Sequence, residues 1–558
     1  MSVNTRFRIS LATGTMATIA AMTGVVHAQQ GQPDRFFSDK VGEAEAEGEK
    51  PQETLLQGSV TSSTFFYRET GSAAADGVIA ENSSPADRLY TDLRGQIDAK
   101  HISGSNWDVR LDSRVRLANS CDLRSGDNAA LYGDCQTQTG LYGDNEYDLR
   151  ELYVKRTGES FDIQVGRQYV LELAAVKIDG VRAQYQTSEK LSFLGFAGLY
   201  PARGSRSIDE DYPKQTIGMV EGDRVIPVAG GVGTAYRYQR LYGAVGAVGI
   251  VPMSEEMTGS NEKLRIFLTS NGYWRQSRKL DLYHFAVFDL QGSGGTGLTN
   301  LSLGGSYRPS SSLRVSAAIN HVDTETLNVI AQNRLETPGM NVGLIQNNVA
   351  VSRIASTSVR VGVSASLRDE RFEVSVSGRV RRRPDIVLTP TAGGDNIVLD
   401  SSQATEIMLS AVDRRSFKDF RFGASVLQVL GIELPGLGKD IFQHSESTYI
   451  RLYGSREFRR GLGLYEFDLS YLASKDNNSG EGCLNGSGSA LIPACYGSTK
   501  VGTIGLGGTA FYRIKTDWML MGTASLARQG FSTSQNNMTT SQPANLLLSA
   551  FARVAYRF

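Results

Sequence analysis

The 558-residue sequence is poor in the features on which helical membrane proteins depend. After the first thirty residues, no apolar run reaches the roughly 20 positions that a transmembrane helix needs. Proline is scarce, with 14 residues, whereas glycine numbers 60, tyrosine 23 and phenylalanine 22. This composition excludes a bundle of membrane helices and favours many twisted, partly exposed strands.

An excess of charge of one sign is also missing. Lysine plus arginine number 58, as do aspartate plus glutamate, so the formal net charge is zero. Proteins that bind nucleic acid normally carry a basic excess on one face. We therefore expect no nucleic-acid partner.

The groups that carry out catalysis are few and scattered. No G-x-S-x-G, H-E-x-x-H, P-loop or EF-hand pattern occurs. Asn320, His321 and Asp323 form the one grouping that suggests a triad, but neighbouring residues on a strand face opposite sides. We predict that the protein is not an enzyme and has no cofactor or metal site. Beyond residue 28 the histidines lie far apart in the sequence, at His101, His284, His321 and His444.

The N-terminus has the form of a targeting signal. Residues 1–8 are basic, residues 9–26 are moderately apolar, and a small-residue cleavage site ends at Ala28. These features predict a signal peptide over residues 1–28. Residues 29–54 are polar and include an acidic run, which predicts a disordered periplasmic segment.

Cysteine is limited to four residues, which fall in two local pairs. Cys121 lies near Cys135 and Cys483 lies near Cys495, each pair within a stretch rich in small polar residues. An even number of cysteines in an exported chain predicts two disulfides. A metal site formed by the four thiols is the alternative, but the spacing lacks the close C-x2-4-C pattern.

Alternation with period two is the main structural signal. In residues 107–117, apolar side chains alternate with Asp108, Arg110, Asp112, Arg114 and Arg116. Such a strand has one apolar and one charged face, as in a soluble sandwich or a transmembrane barrel. The same alternation recurs further along the chain, around the charged residues Arg360, Glu373, Arg379, Arg381, Glu466 and Asp468.

Two features favour the barrel. Short polar turns alternate with longer segments rich in small polar residues, as the periplasmic turns and extracellular loops of outer-membrane barrels do. In addition, an apolar face of the last strand ends with Tyr556 and Phe558. This ending resembles the C-terminal signal by which outer-membrane barrels are recognised for insertion, which implies the barrel-insertion machinery as a partner.

We therefore predict an all-β fold over residues 55–558, a transmembrane antiparallel up-and-down barrel in the bacterial outer membrane, in contact with its lipid. About 22 strands are expected, within a range of 18 to 24. Fewer than thirty residues separate the predicted cleavage site from the first strand, so no N-terminal plug domain is expected. Residues 324–355 are the predicted constriction.

One segment has a family resemblance. Gly166-Arg167-Gln168, followed by Asp179-Gly180-Val181-Arg182, is similar to a pattern in alginate-export-type outer-membrane barrels. The resemblance implies an unplugged barrel that passes a polysaccharide chain outward, with Arg167, Asp179 and Arg182 contacting sugar or carboxylate groups in the lumen. Simple alternation would turn Arg167 toward lipid, so we expect a bulge at Gly166 to redirect it inward.

The predicted function is passive passage of a secreted polysaccharide through the outer membrane, with periplasmic export components as partners. A diffusion porin for small polar solutes is one alternative, and a structural barrel that anchors an envelope or adhesion complex is another. The charged residues named above, from Asp108 to Asp468, are the predicted pore-lining set. Their mixed signs would offer a sugar many transient hydrogen bonds without trapping ions of one sign.

Overall fold

A computed structural model describes most of the chain from residue 54 onward. The described residues are 54–70, 87–122, 145–201, 207–209, 211–212, 214–217, 220–224, 226–251, 264–277, 279–291, 296–323, 349–351, 355–368, 371–384, 386–390, 397–399, 401–417, 420–435, 442–458, 462–479, 498–535 and 538–558. The predicted signal peptide and acidic segment, apart from Thr54, lie outside them. So does nearly all of the predicted constriction at 324–355.

The chain divides into two units. The first comprises Met1–Glu53 and Ser103–Ser105. Of this unit the structure describes only residues 103–105, in and beside the short 3-10 helix Ile102–Gly104. The second comprises Thr54–Ile102 and Asn106–Phe558 and contains all of the described strands.

The described strands are β1 to β27 in chain order. The first part of the chain forms β1 (Leu55–Thr70), β2 (Asp87–Lys100), β3 (Trp107–Asp122), β4 (Glu146–Arg156), β5 (Phe161–Val170), β6 (Val176–Gln186), β7 (Leu191–Leu199), β8 (Lys214–Ile217) and β9 (Val220–Arg224). The middle forms β10 (Val228–Tyr238), β11 (Leu241–Val251), β12 (Arg265–Arg275), β13 (Leu280–Gln291), β14 (Gly297–Tyr307), β15 (Leu313–Asp323), β16 (Val349–Val351), β17 (Ala355–Leu367) and β18 (Phe372–Arg383). The last part forms β19 (Ile386–Pro390), β20 (Ile397–Leu399), β21 (Ser402–Phe417), β22 (Phe420–Pro435), β23 (Phe442–Phe458), β24 (Gly463–Ser479), β25 (Ser498–Arg513), β26 (Trp518–Gln535) and β27 (Met538–Arg557).

Twenty-two of these strands form one closed antiparallel sheet. Each pairs with its neighbours in chain order, and β1 closes the barrel by pairing with both β2 and β27. The short strands β8 and β9 form a separate hairpin, and β16, β19 and β20 form a separate three-stranded sheet. The predicted architecture and strand number are confirmed.

Alternation explains which face of each strand meets lipid. Apolar side chains at every second position point outward and are among the most exposed in the protein, such as Val232 at 67% and Leu506 at 59%. Their polar neighbours face the barrel interior. An exposed apolar belt on a closed, even-stranded antiparallel barrel is the design by which chains cross the bacterial outer membrane, because closure leaves no unpaired edge in hydrocarbon. The protein is therefore an outer-membrane β-barrel. No helix within the described ranges is long and apolar enough to span a membrane.

The C-terminal residues lie at the seam of the barrel. The backbone of Phe558 exchanges hydrogen bonds with that of Gly58, at 2.9 and 3.1 Å. On the outer face the ring of Tyr556 lies 4.7 Å from that of Trp518 and 5.9 Å from that of Phe558. An aromatic cluster of this kind suits the membrane interface. The role of Tyr556 and Phe558 in insertion stays a prediction.

Candidate pore and its constriction

The inner wall formed by β2, β3 and β4 is a ladder of paired charges. The five charged residues predicted on β3 all lie on this wall, because the intervening apolar residues face outward. Asp108 accepts a hydrogen bond from the backbone N–H of His101 at 3.0 Å. The arginines pair with carboxylates as follows: Arg94 with Asp112 at 2.6 Å, Arg116 with Asp92 at 2.7 Å, Arg114 with Glu146 at 2.8 Å, and Arg110 with Glu151 at 2.6 Å and Asp98 at 3.3 Å.

The inner wall formed by β17 and β18 differs from the ladder. Arg379 lies 3.6 Å from Glu406, and Glu373 pairs with Arg414. Arg360 and Arg381 face the same interior, because Val361 and Val380 are exposed on the outer face. Among the residues that the structure describes, neither arginine has a carboxylate partner. Within the described residues, this wall therefore carries two arginines without a carboxylate beside them.

A third charged group lies on β23 and β24. Arg451 lies 2.6 Å from Glu466 and 3.6 Å from Asp468, so both predicted carboxylates share one arginine. Sequence reasoning did not select Arg451, although it alternates with exposed Ile450 and Leu452 and could have been found in that way.

Between Arg167 and Asp179 the β5–β6 hairpin leaves the barrel wall. Pairing of β5 with β4 ends at Arg167, and pairing of β6 with β7 begins at Asp179. The hairpin itself continues as far as the pair Val170 and Val176. Residues 168–178, called here the tip, therefore have no neighbouring wall strand on either side.

The tip packs against the inside of β10, β11 and β12. Leu173 is fully buried, and a Cβ built on Gly233 or Gly246 would lie 2.7 or 2.3 Å from its Cδ2 atom. The Asn271 side-chain amide donates to the carbonyl oxygens of Leu171 and Glu172, both at 3.1 Å. Because Gly233, Gly246 and Asn271 face the interior, the tip lies within the lumen and narrows it. This constriction was not predicted from the sequence.

A row of glycines marks the position at which the hairpin bends. Gly166, Gly180 and Gly198 are register partners across β5, β6 and β7. A Cβ on Gly180 would lie 2.2 Å from the carbonyl oxygen of Ala197, so these backbones approach more closely than any side chain allows. Gly166 has a φ of 126°, which L-residues rarely adopt. The strand pairings at Gly166 show no register shift, so the prediction of a bulge is wrong. The irregularity at this position is the positive φ of Gly166.

An ion cluster, called here the clamp, lies where the tip joins the wall. Arg167 is 6% exposed, donates to Asp179 at 2.5 and 2.6 Å, and also pairs with Asp211, a loop residue that is 2% exposed. The Tyr212 hydroxyl donates to Asp179 at 2.7 Å. Burial, together with this hydrogen bond to a carboxylate, raises the pKa of Tyr212 well above its ordinary value, so the hydroxyl remains a donor. The structure thus places Arg167 and Asp179 in a buried cluster that holds the tip.

Arg182 is placed differently from the other two residues of the resemblance. It lies on the inner face of β6 and donates to Glu172 of the tip at 2.8 Å. Arg167, Asp179 and Arg182 therefore all hold the tip. Arg167 and Asp179 do so in the clamp at its base, and Arg182 does so through Glu172, near the turn of the tip.

The packing of Leu173 predicts the effect of a single substitution. Gly246→Val would place side-chain atoms where Leu173 lies, so we expect the tip to be displaced and single-channel conductance in planar bilayers to rise. Gly249→Val is the matched control, because a Cβ there has no atom within 4 Å. Equal conductance of the two variants would show that the tip does not narrow the pore.

The cysteines and His321 complete the residues singled out in the sequence. Cys121 lies near the end of β3, while Cys135, Cys483 and Cys495 lie outside the described residues, so both disulfides stay predictions. His321 lies on the outer face in register with Leu301 and Thr357, and its ring bonds to the hydroxyl of Thr357 at 2.8 Å.

Comparisons with known proteins show no family for this chain. No protein-family model matches the chain, and no curated protein matches its sequence. OccAB4 of Acinetobacter baumannii is 10% identical, with 91% of this chain and 100% of that chain covered and a TM-score of 0.36. The siderophore receptor PirA of the same organism is 9% identical, with 89% and 80% covered and a TM-score of 0.42. A bacterial polysaccharide outer membrane secretin is 12% identical, with 66% and 98% covered and a TM-score of 0.28. Likenesses of this size carry no argument about function, which must come from the geometry of the chain itself.

Proposed function

We propose that the protein is a passive outer-membrane channel and that its cargo is a secreted polysaccharide. The ladder on β2 to β4 carries the proposal. Its charges are paired side by side, so the wall offers many hydrogen-bond donors and acceptors with little net charge. A hydrated sugar chain can exchange such bonds along the wall without being trapped, as conduction requires.

The resemblance to alginate-export-type barrels supports the same cargo. It implies that Arg167, Asp179 and Arg182 contact the sugar, but the structure gives them other partners. Arg167 and Asp179 are occupied in the clamp, so we assign them to positioning the tip. Arg182 is paired with Glu172, which is 6% exposed, so we assign this pair to positioning the tip as well. Periplasmic export components stay proposed partners of the channel.

Blocking of ion current tests the cargo. The full-length protein is inserted into planar bilayers, and a neutral α-1,4-linked glucose hexamer or a uronate hexamer is added. We expect transient interruptions of the current whose frequency rises with hexamer concentration. Steady conductance with neither hexamer causing interruptions would contradict the polysaccharide cargo and leave a simple diffusion pore.

A second candidate, a porin for small anions, is favoured by Arg360 and Arg381, which have no carboxylate partner within the described part of the chain. Fixed positive charge on a pore wall raises the local concentration of anions. We expect the reversal potential in a salt gradient to indicate anion preference, and Arg360→Ser with Arg381→Ser to lower the anion-to-cation permeability ratio by about twofold or more.

The control for this measurement is Arg528→Ser. Arg528 lies two residues from exposed Leu526 and is the register partner of exposed Ile504, so it shares their outer face and its charge lies outside the lumen. A shift of equal size in both variants would contradict the assignment of the arginine wall to the pore.

A further inference from the structure

The inner wall also contains a row of aromatic rings. Phe551, Phe65 and Tyr90 are register partners on the adjoining strands β27, β1 and β2. All three alternate with outward-facing residues, so their rings face the interior. The rings of Phe65 and Tyr90 are stacked, with centroids 5.1 Å apart. Because neighbouring strands lie about 4.8 Å apart, the three residues extend over about 10 Å of the wall.

A polar row runs directly beneath the aromatic row, two residues closer to the short-turn end of each strand. It contains Arg553, Ser63 and Asp92, followed by Arg116 on β3. Arg553 donates to the hydroxyl of Ser63 at 3.0 Å, and Arg116 donates to Asp92 at 2.7 and 3.0 Å.

Two arginines connect the rows. The guanidinium carbon of Arg116 lies 4.5 Å from the centroid of the Tyr90 ring, and that of Arg553 lies 5.5 Å from the centroid of the Phe551 ring. These contacts hold the guanidinium groups close to the rings. The rings and the charged groups therefore form one surface with fixed geometry.

We infer that this surface is a carbohydrate-binding subsite within the pore, an inference that rests on the proposed polysaccharide cargo. A pyranose ring has an apolar C–H face and a rim of hydroxyl groups. The ring edges that these stacking contacts leave uncovered would lie against the C–H face and remove apolar surface from water, which stabilises by roughly 25 cal/mol per Å². The hydroxyl groups would meet Asp92, which accepts hydrogen bonds, and Arg553, which donates them. Arg116 is 9% exposed and holds the Asp92 carboxylate in place.

In the part of the chain that the structure describes, the wall around Arg451 does not combine an aromatic row with charged groups in this way. Tyr453 on β23 lies beneath Arg451, with the guanidinium carbon 5.0 Å from its ring centroid, but no aromatic partner in register flanks it on β22 or β24. Gly423 and Asp468 occupy those positions. Tyr453 therefore provides a matched control, in which an aromatic ring and an arginine are present without a row.

Hexamer block of single channels tests the subsite. In the full-length protein carrying Phe65→Leu and Tyr90→Leu, we expect the residence time of the blocking hexamer to fall at least about tenfold, which corresponds to ~1.4 kcal/mol. Ion conductance without sugar should stay unchanged, which shows that the barrel has folded. Tyr453→Leu should leave the residence time within about twofold of the wild-type value.

The outcomes separate the subsite from the cargo. If the wild-type channel is blocked and the double variant is blocked for equally long, the subsite is overturned while the cargo stands. If neither hexamer blocks the wild-type channel, both are overturned. If the double variant fails to insert, the test is repeated with Phe551→Leu alone. A shorter residence time of the hexamer would support the subsite, and an unchanged residence time would overturn it.

Discussion

Arg167→Ala is expected to release the tip from its base. The substitution leaves the carboxylates of Asp179 and Asp211 without their main partner at a site where Arg167 is buried. Removing one member of a buried ion pair costs about 3–5 kcal/mol, because the remaining charge is poorly solvated. Lys177, at 3.7 Å from Asp211, offsets part of this loss.

Amide hydrogen exchange of the detergent-solubilised protein measures this effect. We expect the opening free energy of the amides of residues 176–179 to fall by about 3–5 kcal/mol. Amides of β25 and β26 should keep their protection, because these strands lie far from the clamp in the sheet order. Unchanged protection of the tip would show that the clamp does not hold it.

The control for Arg167→Ala is Arg421→Ala. Arg421 pairs with Glu457, but the two side chains are 52% and 49% exposed. Exposed ion pairs contribute only about 0–1 kcal/mol, because water screens them and the side chains lose entropy on pairing. Its effect on exchange should therefore stay below about 1 kcal/mol.

Replacement of the tip by a tight turn is expected to widen the pore. Arg167 and Asp179 are register partners, so an Asn-Gly pair in place of residues 168–178 can close the hairpin within the wall. The variant keeps the clamp and the ladder but removes Leu173 and Glu172 from the lumen. We expect single-channel conductance to rise by about twofold or more, since a wider aqueous path conducts more ions.

The same variant should pass larger solutes. In a liposome-swelling assay, the largest neutral sugar that enters should increase in size compared with the wild type. An unchanged conductance together with an unchanged size limit would place the narrowest part of the pore elsewhere. Residues 324–355, the segment predicted from the sequence, would then be the next to test.

Alternation with period two is what made the barrel predictable. On β3, exposed Trp107 and the residues that follow it on the same face, all apolar except Ser113, alternate with charges, and a strand has only two faces. The same rule assigned Arg360, Arg379 and Arg381 to the interior. It depends on local backbone geometry alone, so it could be applied without knowing which strands are neighbours.

The partners of these charges could not be predicted in this way. Arg116 pairs with Asp92 because β2 and β3 align those two positions, and the register depends on the exact turn between the strands. The absence of described partners for Arg360 and Arg381 likewise depends on which residues β15 and β21 present beside them. Which charges form ion pairs depends on how neighbouring strands align in the assembled sheet, so it cannot be predicted from the pattern of one strand.

The sequence by itself determined the barrel, the approximate number of strands and the face on which the charges of β3, β17, β18 and β24 lie, because these follow from alternation and from the spacing of turns. Only the tertiary structure decided that residues 168–178 leave the wall and enter the lumen. That outcome requires the glycine row Gly166, Gly180 and Gly198 to lie side by side and Leu173 to meet glycines on β10 and β11, far along the chain. The physical reason is that close packing depends on which atoms meet in space, whereas alternation depends only on the strand itself.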